Sequence, residues 1–311
     1  MAEVKEVGPA LIGNVYTVVL SQRNKEMLQL EGYLYHLECS RGSITGVCIF
    51  CLYYREKTPV QSGVTASVKQ KYLIIFDFDE TIINENSDDS VIRAAPGGTL
   101  PDWLRNSLKD GFYNEYMQHV FEYLGEQGVQ EEAIRNEYSK IPLSPGMLNI
   151  FNFLMKNSGL FEIILISDAN MFGIEATLKA IGFHSLFRKI YTNPAHFDKR
   201  GYLVLRPYHS HTCTKCPANM CKRKIVTEYL TERAQQSVKF EKMLYVGDGA
   251  NDFCPTVVFS SNDVAFPRKN YPMHRRILEM QKSQPNVYQP TVIPWQSADD
   301  VIYYLQRLLQ T

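Results

Sequence analysis

An α/β fold, with a parallel sheet covered by helices and a helical cap inserted into it, is the class this sequence predicts, and three observations predict it. From Lys71 onward, four short apolar runs (Tyr72 to Phe76, Phe161 to Ile166, Met243 to Val246 and Val264 to Phe266) alternate with stretches of helical period. That is how a buried parallel sheet reads. The first three runs end directly on polar groups, Asp77, Ser167 and Gly247-Asp248, and in open parallel sheets ligands bind outside the carboxyl ends of the strands. Between the first run and the second, Ser87 to Ile141 is mostly helical in period, with breaks at Pro96-Gly97-Gly98 and Gly125 to Gly128. A Rossmann-like core with an inserted cap satisfies all three.

Taken in order, residues 1–70 form an N-terminal extension of different character. Strand-like fragments at Val15 to Leu20 and Gly46 to Tyr54 precede a polar run from Lys57 to Gln70, a composition that reads as a linker and a poorly ordered extension. Residues 71–86 and 142–311 are then the α/β core, and 87–141 the cap. The cap begins shortly after Asp77, where a lid can reach the site.

Composition narrows the function classes. The 311 residues carry 33 basic and 33 acidic side chains, so net charge gives no reason to expect nucleic acid or a membrane surface as partner. The most apolar stretch, Ile44 to Tyr54, is about eleven residues long, where a membrane span needs roughly 20. Met1 to Ala10 contains Glu3, Lys5 and Glu6 and lacks a basic segment followed by an apolar run, so no secretory signal is expected. The seven cysteines are odd in number and mostly clustered, which favours a reducing compartment. A cytoplasmic enzyme is the expectation; the oligomeric state is not readable.

The chemistry begins at Asp77-Phe78-Asp79-Glu80-Thr81, at the end of an apolar strand. Two carboxylates at such a place supply what phosphoryl transfer needs. Asp77 acts as nucleophile and Asp79 as acid to the leaving alkoxide, then as base to water. Gly247-Asp248-Gly249-Ala250-Asn251-Asp252 follows another apolar strand and brings two more acids, Asp248 and Asp252. Clustered carboxylates repel unless protonated or bound to a hard cation. Magnesium fits, held by Asp77, the backbone carbonyl of Asp79 and Asp248, with Asp252 alongside as a further metal-site acid. Ser167, at the end of its strand, can hold a phosphate oxygen. Lys222, near the start of a helical stretch, can offset the charge, with Lys224 as the alternative. The substrate is thus a small phosphomonoester.

The order D-x-D-x-T, Ser, Lys, G-D-x-x-x-D resembles the haloacid dehalogenase superfamily of aspartyl-phosphate phosphatases. Within it, Phe76 to Ile82, Glu85 to Ser90, Ile166 to Asn170, Cys216 to Lys222 and Gly247 to Pro255 resemble the phosphatases of phosphoethanolamine and phosphocholine. The resemblance runs from about residue 71 to the end and leaves residues 1–70 untouched. It implies Asp77 as nucleophile, Asp79 as proton donor, Asp248 as metal ligand, and Asp88 and Asp168 as substrate-binding acids. It also extends to carriage into extracellular matrix vesicles and a part in biomineralization.

The last two acids also make physical sense. Ethanolamine and choline carry a positive nitrogen that a phosphate site alone cannot select, and carboxylates supply that contact. The cap aromatics Trp103, Phe112, Tyr113 and Tyr116 are expected to be cap core rather than an ammonium cage. Two rivals stand beside this reading: a phosphatase for another small phosphomonoester such as pyridoxal phosphate, which would need neither Asp88 nor Asp168 for a cation, and a non-catalytic phosphate-binding protein. Finally, His211, Cys213, Cys216 and Cys221 form H-x-C-x-x-C-x(4)-C, compatible with zinc, a disulfide or reduced thiols. The segment reads most simply as a loop of reduced thiols carrying Lys222.

Overall fold

The computed structural model describes residues 71–109 and 111–310 and the backbone of four short strands upstream. The chain divides into two compact units, Met1–Thr65 and Ala66–Thr311. In the first, β1 (Glu3–Pro9) pairs antiparallel with β2 (Asn14–Val19), and β3 (Leu28–Leu30) with β4 (Tyr33–Tyr35). β2 overlaps the expected Val15 to Leu20 fragment. The expected strand at Gly46 to Tyr54 and the polar run Lys57 to Gln70 lie outside the described residues, as does most of the extension expected to be poorly ordered.

The second unit is a six-stranded parallel sheet flanked by helices. In chain order it comprises β5 (Lys71–Phe76), α1 (Ser87–Val91), α2 (Asp102–Arg105), α3 (Tyr113–Glu126), α4 (Glu131–Lys140), α5 (Met147–Lys156), β6 (Phe161–Asn170) and α6 (Met171–Ala180). β7 (Lys189–Asn193), the antiparallel hairpin β8 (Ala195–Phe197) and β9 (Leu203–Leu205), and α7 (Lys222–Gln235) follow. The chain closes with β10 (Phe240–Gly247), α8 (Phe253–Thr256), β11 (Val264–Pro267), α9 (Pro272–Ser283), β12 (Thr291–Val292) and α10 (Ala298–Leu308). The sheet order is β12-β11-β10-β5-β6-β7, and every neighbouring pair is parallel.

Alternation along the central strand builds two cores. Ile74 and Phe76 face one side, with Ile150, Phe151 and Leu154 of α5, Ile174 of α6 and Val301 and Leu305 of α10. Leu73 and Ile75 face the other, with Ile225, Val226 and Tyr229 of α7 and Met273 and Ile277 of α9. Successive side chains of a strand point to opposite faces, so an unbroken apolar run is what a sheet covered on both sides requires. The helices follow the complementary rule: α5 buries Met147, Ile150, Phe151 and Leu154, one stripe at helical spacing.

Helices α1 to α4 all come between β5 and α5. Their apolar residues Met117, Val120, Phe121, Leu124, Ile134 and Tyr138 join the α5 side of the core. The β8–β9 hairpin packs on α3, where the Leu205 N–H donates to Gln118 Oε1 at 2.6 Å. α4 lies against α6: a Cβ on Gly173 would come within 2.5 Å of the Tyr138 ring, so glycine admits the close approach.

α7, whose first residue is Lys222, is anchored near its other end. Arg233 donates through Nε to Glu162 Oε1 (2.7 Å) and through Nη2 to Oε2 (2.8 Å), and the Tyr229 hydroxyl donates to Oε1 (2.6 Å). Both charged partners are buried. Arg233→Leu therefore leaves the buried Glu162 with only the half-exposed Arg188, 3.8 Å away, as counter-charge and is expected to cost about 3 kcal/mol, read as a lowered urea midpoint.

Candidate active site

The strand ends bring the expected acids together. Asp77 directly follows β5, its N–H donating to the Val246 carbonyl at 3.0 Å, so the two strand ends are fixed to each other. Asp248 follows β10. The carboxylates of Asp77, Asp248 and Asp252 lie within 4.8 Å of one another, and all three residues are buried. Gly247 permits this crowding, since a Cβ there would sit 2.7 Å from Asp252 Cγ.

Lys222 projects into the cluster from the first turn of α7. Its Nζ donates to Asp77 Oδ1 at 2.6 Å and to Asp252 Oδ1 at 2.7 Å, with only 1% of the residue exposed. Burial disfavours its charge, but Asp252 and Asp77 outweigh burial and hold the ammonium protonated above the usual lysine range. Lys224 is not an alternative: it is more than a third exposed, and its Nζ meets the Ser210 carbonyl at 3.5 Å and Glu228 at 4.0 Å, away from the acid cluster.

Asp252 is saturated. Oδ1 accepts from Lys222 and from the Tyr245 hydroxyl (2.6 Å), and Oδ2 accepts from the N–H groups of Asp248 (3.2 Å) and Gly249 (2.8 Å). Four donors fill what a carboxylate can accept. Asp77 and Asp248 are less engaged: among the described residues, Asp248 Oδ1 accepts only from the Thr81 hydroxyl, at 3.3 Å, and no hydrogen bond reaches Oδ2 of either acid. Burial, then repulsion from Asp252, lifts both carboxyls, that of Asp248 to about 8, with Lys222 opposing. A buried cluster with more acid than cation, and with unengaged oxygens on two of its members, suits a hard divalent ion.

Asp79 accepts a hydrogen bond from the Ser87 N–H at 2.9 Å. Burial raises its carboxyl to about 7 against that hydrogen bond, the range in which a carboxyl both gives and takes protons near neutrality. Ser167 is fully buried, two residues beyond the Leu165 that pairs with Phe76, and its hydroxyl oxygen accepts from the Ala169 N–H at 3.2 Å. β6 continues past the expected end at Ile166 to Asn170, with an irregular register between those two residues, so Ser167 and Asp168 sit inside the strand.

A second acid group adjoins the first. Asp88 lies in the first turn of α1, where the Asn86 side chain caps the helix by accepting from the N–H groups of Asp88 and Asp89. The Asp88 carboxyl is buried, and no hydrogen bond reaches it among the described residues. Burial, then Asp79, Asp168 and Asp89, push it well above the usual carboxylate range. Asp168 is half-buried and oriented by Asn251, whose Nδ2 donates to its Oδ2 at 2.9 Å, while Asn193 Nδ2 donates to its backbone carbonyl at 2.6 Å.

The aromatics divide. Tyr116 is buried, as expected, but Trp103 (66% exposed), Phe112 (56% exposed) and Tyr113 (37% exposed) are at the surface, because they lie on or next to short segments outside the apolar stripe of α3. Of these four, Tyr113 is the one that feels Asp88 and Asp79, as does Tyr138 of α4; burial and those acids raise the hydroxyl of Tyr113 above the usual tyrosine range. Thr81, Asn193, Tyr245 and Asn251 escaped the sequence reading. Thr81 and Asn251 lie inside motifs that named their neighbours, whereas Asn193 and Tyr245 look like ordinary strand residues.

Comparison with known proteins places the chain in a family. Residues 72–309 match the family model described as "Putative Phosphatase". The phosphoethanolamine/phosphocholine phosphatase of Gallus gallus is 63% identical over 248 residues, covering 80% of this chain and 92% of that protein. That of Homo sapiens is 56% identical over 241 residues, covering 78% and 90%. The pyridoxal phosphate phosphatase of Homo sapiens is 42% identical over 241 residues, covering 77% and 99%. In fold, the chain is similar to a crystal structure of phosphoserine phosphatase in apo form, with a TM-score of 0.50 at 15% identity, covering 76% of this chain and 99% of that one.

Proposed function

The chain belongs to this phosphatase family within the haloacid dehalogenase superfamily, and on that premise we propose that it hydrolyses phosphoethanolamine and phosphocholine through a phosphoaspartyl intermediate on Asp77. Asp77 attacks phosphorus as the ester bond breaks, and the alkoxide leaves with a proton from Asp79. Water then attacks the acyl phosphate, Asp79 takes its proton, and Asp77 is freed with release of phosphate. Lys222 stays protonated and balances the phosphate charge; the Ser167 hydroxyl donates to a phosphate oxygen.

Asp77, Asp248 and the carbonyl of Asp79 would hold magnesium, which when bound neutralises the acid cluster and supplies Lewis-acid stabilisation to the phosphoryl group. Because four donors fill the Asp252 carboxylate, its role is to fix Lys222 and the Asp248 turn from behind rather than to bind the ion itself. Residues 87–141 act as a cap on a core of 71–86 and 142–311, and Asp88 is the cap's contribution to the site.

One observation carries the substrate assignment: Asp88 is a buried carboxyl whose strongest electrostatic neighbours, Asp79, Asp168 and Asp89, are all acidic. A cationic group on the substrate supplies the missing counter-charge. Asp88→Asn and Asp168→Asn are each expected to lower kcat/KM on phosphoethanolamine and phosphocholine by about 10- to 100-fold, the loss of a partly desolvated charge contact of about 1–3 kcal/mol. Turnover of p-nitrophenyl phosphate, which has no cation, is expected to change by less than about threefold. Equal losses on both substrates, or a purified enzyme that prefers pyridoxal phosphate, would overturn the assignment.

A further inference from the structure

Four cysteines converge beside the active site. The sulfurs of Cys213, Cys216, Cys221 and Cys254 all lie within 4.8 Å of one another, although Cys254 is remote from the other three in sequence. Cys213 Sγ and Cys254 Sγ are 3.8 Å apart. A disulfide needs about 2.05 Å, and all four thiols are free. A tetrahedral ion with metal–sulfur bonds of about 2.3 Å sets its sulfurs about 3.8 Å apart, so this separation is that of a tetrahedron edge. We infer that Cys213, Cys216, Cys221 and Cys254 form a structural four-thiolate zinc site.

The neighbourhood supports it. His211 is excluded as a ligand because both ring nitrogens are engaged: Nδ1 accepts from the Cys213 N–H (3.1 Å), and Nε2 lies 2.7 Å from the Pro217 carbonyl, to which it donates. The ring thereby shapes the loop that presents the first two cysteines. That loop, from the end of β9 to the start of α7, contains neither helix nor strand. Irregular segments longer than about 12–15 residues are uncommon in compact domains unless something ties them down.

The site does more than close a loop. Cys221 is the residue that opens α7, immediately before Lys222, and Cys254 lies in α8, two residues past Asp252. A metal bridging them joins the segment carrying Lys222 to the segment carrying Asp252, the two side chains that meet at 2.7 Å in the acid cluster. Binding releases the thiol protons to solvent and involves no change of oxidation state.

The test uses the full chain, untagged and produced in zinc-containing medium. Mass-spectrometric metal analysis is expected to find about one zinc per chain, retained through EDTA dialysis that strips magnesium. Titration with a mercurial should release that zinc as four thiols react, and a cobalt-loaded chain should show thiolate-to-cobalt charge-transfer absorption. Cys216→Ser and Cys254→Ser should each reduce zinc to below about a fifth of the wild-type content. Zinc below about a tenth per chain in the wild-type protein, or iron in its place, overturns the proposal. The readout is metal content, so it stands or falls separately from the phosphatase reading.

Discussion

Asp77→Asn is expected to lower turnover by at least about 10⁴-fold, because an amide oxygen cannot form the acyl phosphate on which the proposed reaction depends. The fold is expected to survive. Asp77 is a buried carboxyl pushed upward by burial and by Asp252, so removing its charge relieves repulsion in the metal-free protein, while Lys222 keeps its contact with Asp252. The metal-free variant should therefore melt at or a few degrees above the wild-type temperature, since about 1 kcal/mol corresponds to roughly 2–4 °C in a domain of this size. Beryllium fluoride should attach to wild-type Asp77 and fail to attach to the variant. Near-normal activity in the folded variant, or beryllium fluoride that fails to attach to wild-type Asp77, would remove Asp77 from the role of nucleophile.

Withdrawal of magnesium is expected to have the next largest effect, a loss of more than about 10³-fold with EDTA that magnesium restores. Asp77 and Asp248 stand close together in a buried cluster, with Lys222 as the cation in contact, so without a divalent ion the phosphate would meet more negative charge than one ammonium offsets. The ion should also stabilise the fold, by about 2.7 kcal/mol at a concentration 100 times its dissociation constant, visible as a rise in melting temperature. Full activity in excess EDTA, or no thermal shift on adding magnesium, would count against this metal assignment.

Much of this architecture was legible in the sequence, because burial on both faces of the sheet forces apolar runs, and each run ends where the chain must leave the sheet. Asp77, Ser167 and Asp248 could be located on that ground alone, and Lys222 by its place at a helix start. What could not be read lies in pairings across long separations. Cys254 was missed because the other cysteines already formed a plausible local motif with His211, and only the tertiary fold sets it beside them. β7 and β12, at the two edges of the sheet, were missed because edge strands are covered on one side and need no apolar run; β12 is two residues long. The Glu162–Arg233 pair sits in a strand and a helix whose patterns give no hint that two charges meet inside the core.

The loop after the nucleophile depends on a late part of the chain. Glu80 has a left-handed backbone, with φ of 51°, and Arg268 Nη1 donates to its carbonyl at 2.5 Å across a separation of 188 residues; Arg268 also meets the Asn84 side chain. Lys222 is 145 residues from the Asp77 it neutralises. At a synthesis rate of roughly 5–20 residues per second, 188 residues take about 10–40 s to emerge. For that interval β5 lacks its β10 neighbour and the D-x-D-x-T loop lacks its tie. A nascent chain of this enzyme must therefore hold β5 with β6 as its one sheet neighbour until β10 has been made, and a ribosome that stalls before Arg268 leaves a chain whose central strand is paired on one edge and whose nucleophile loop has no tie.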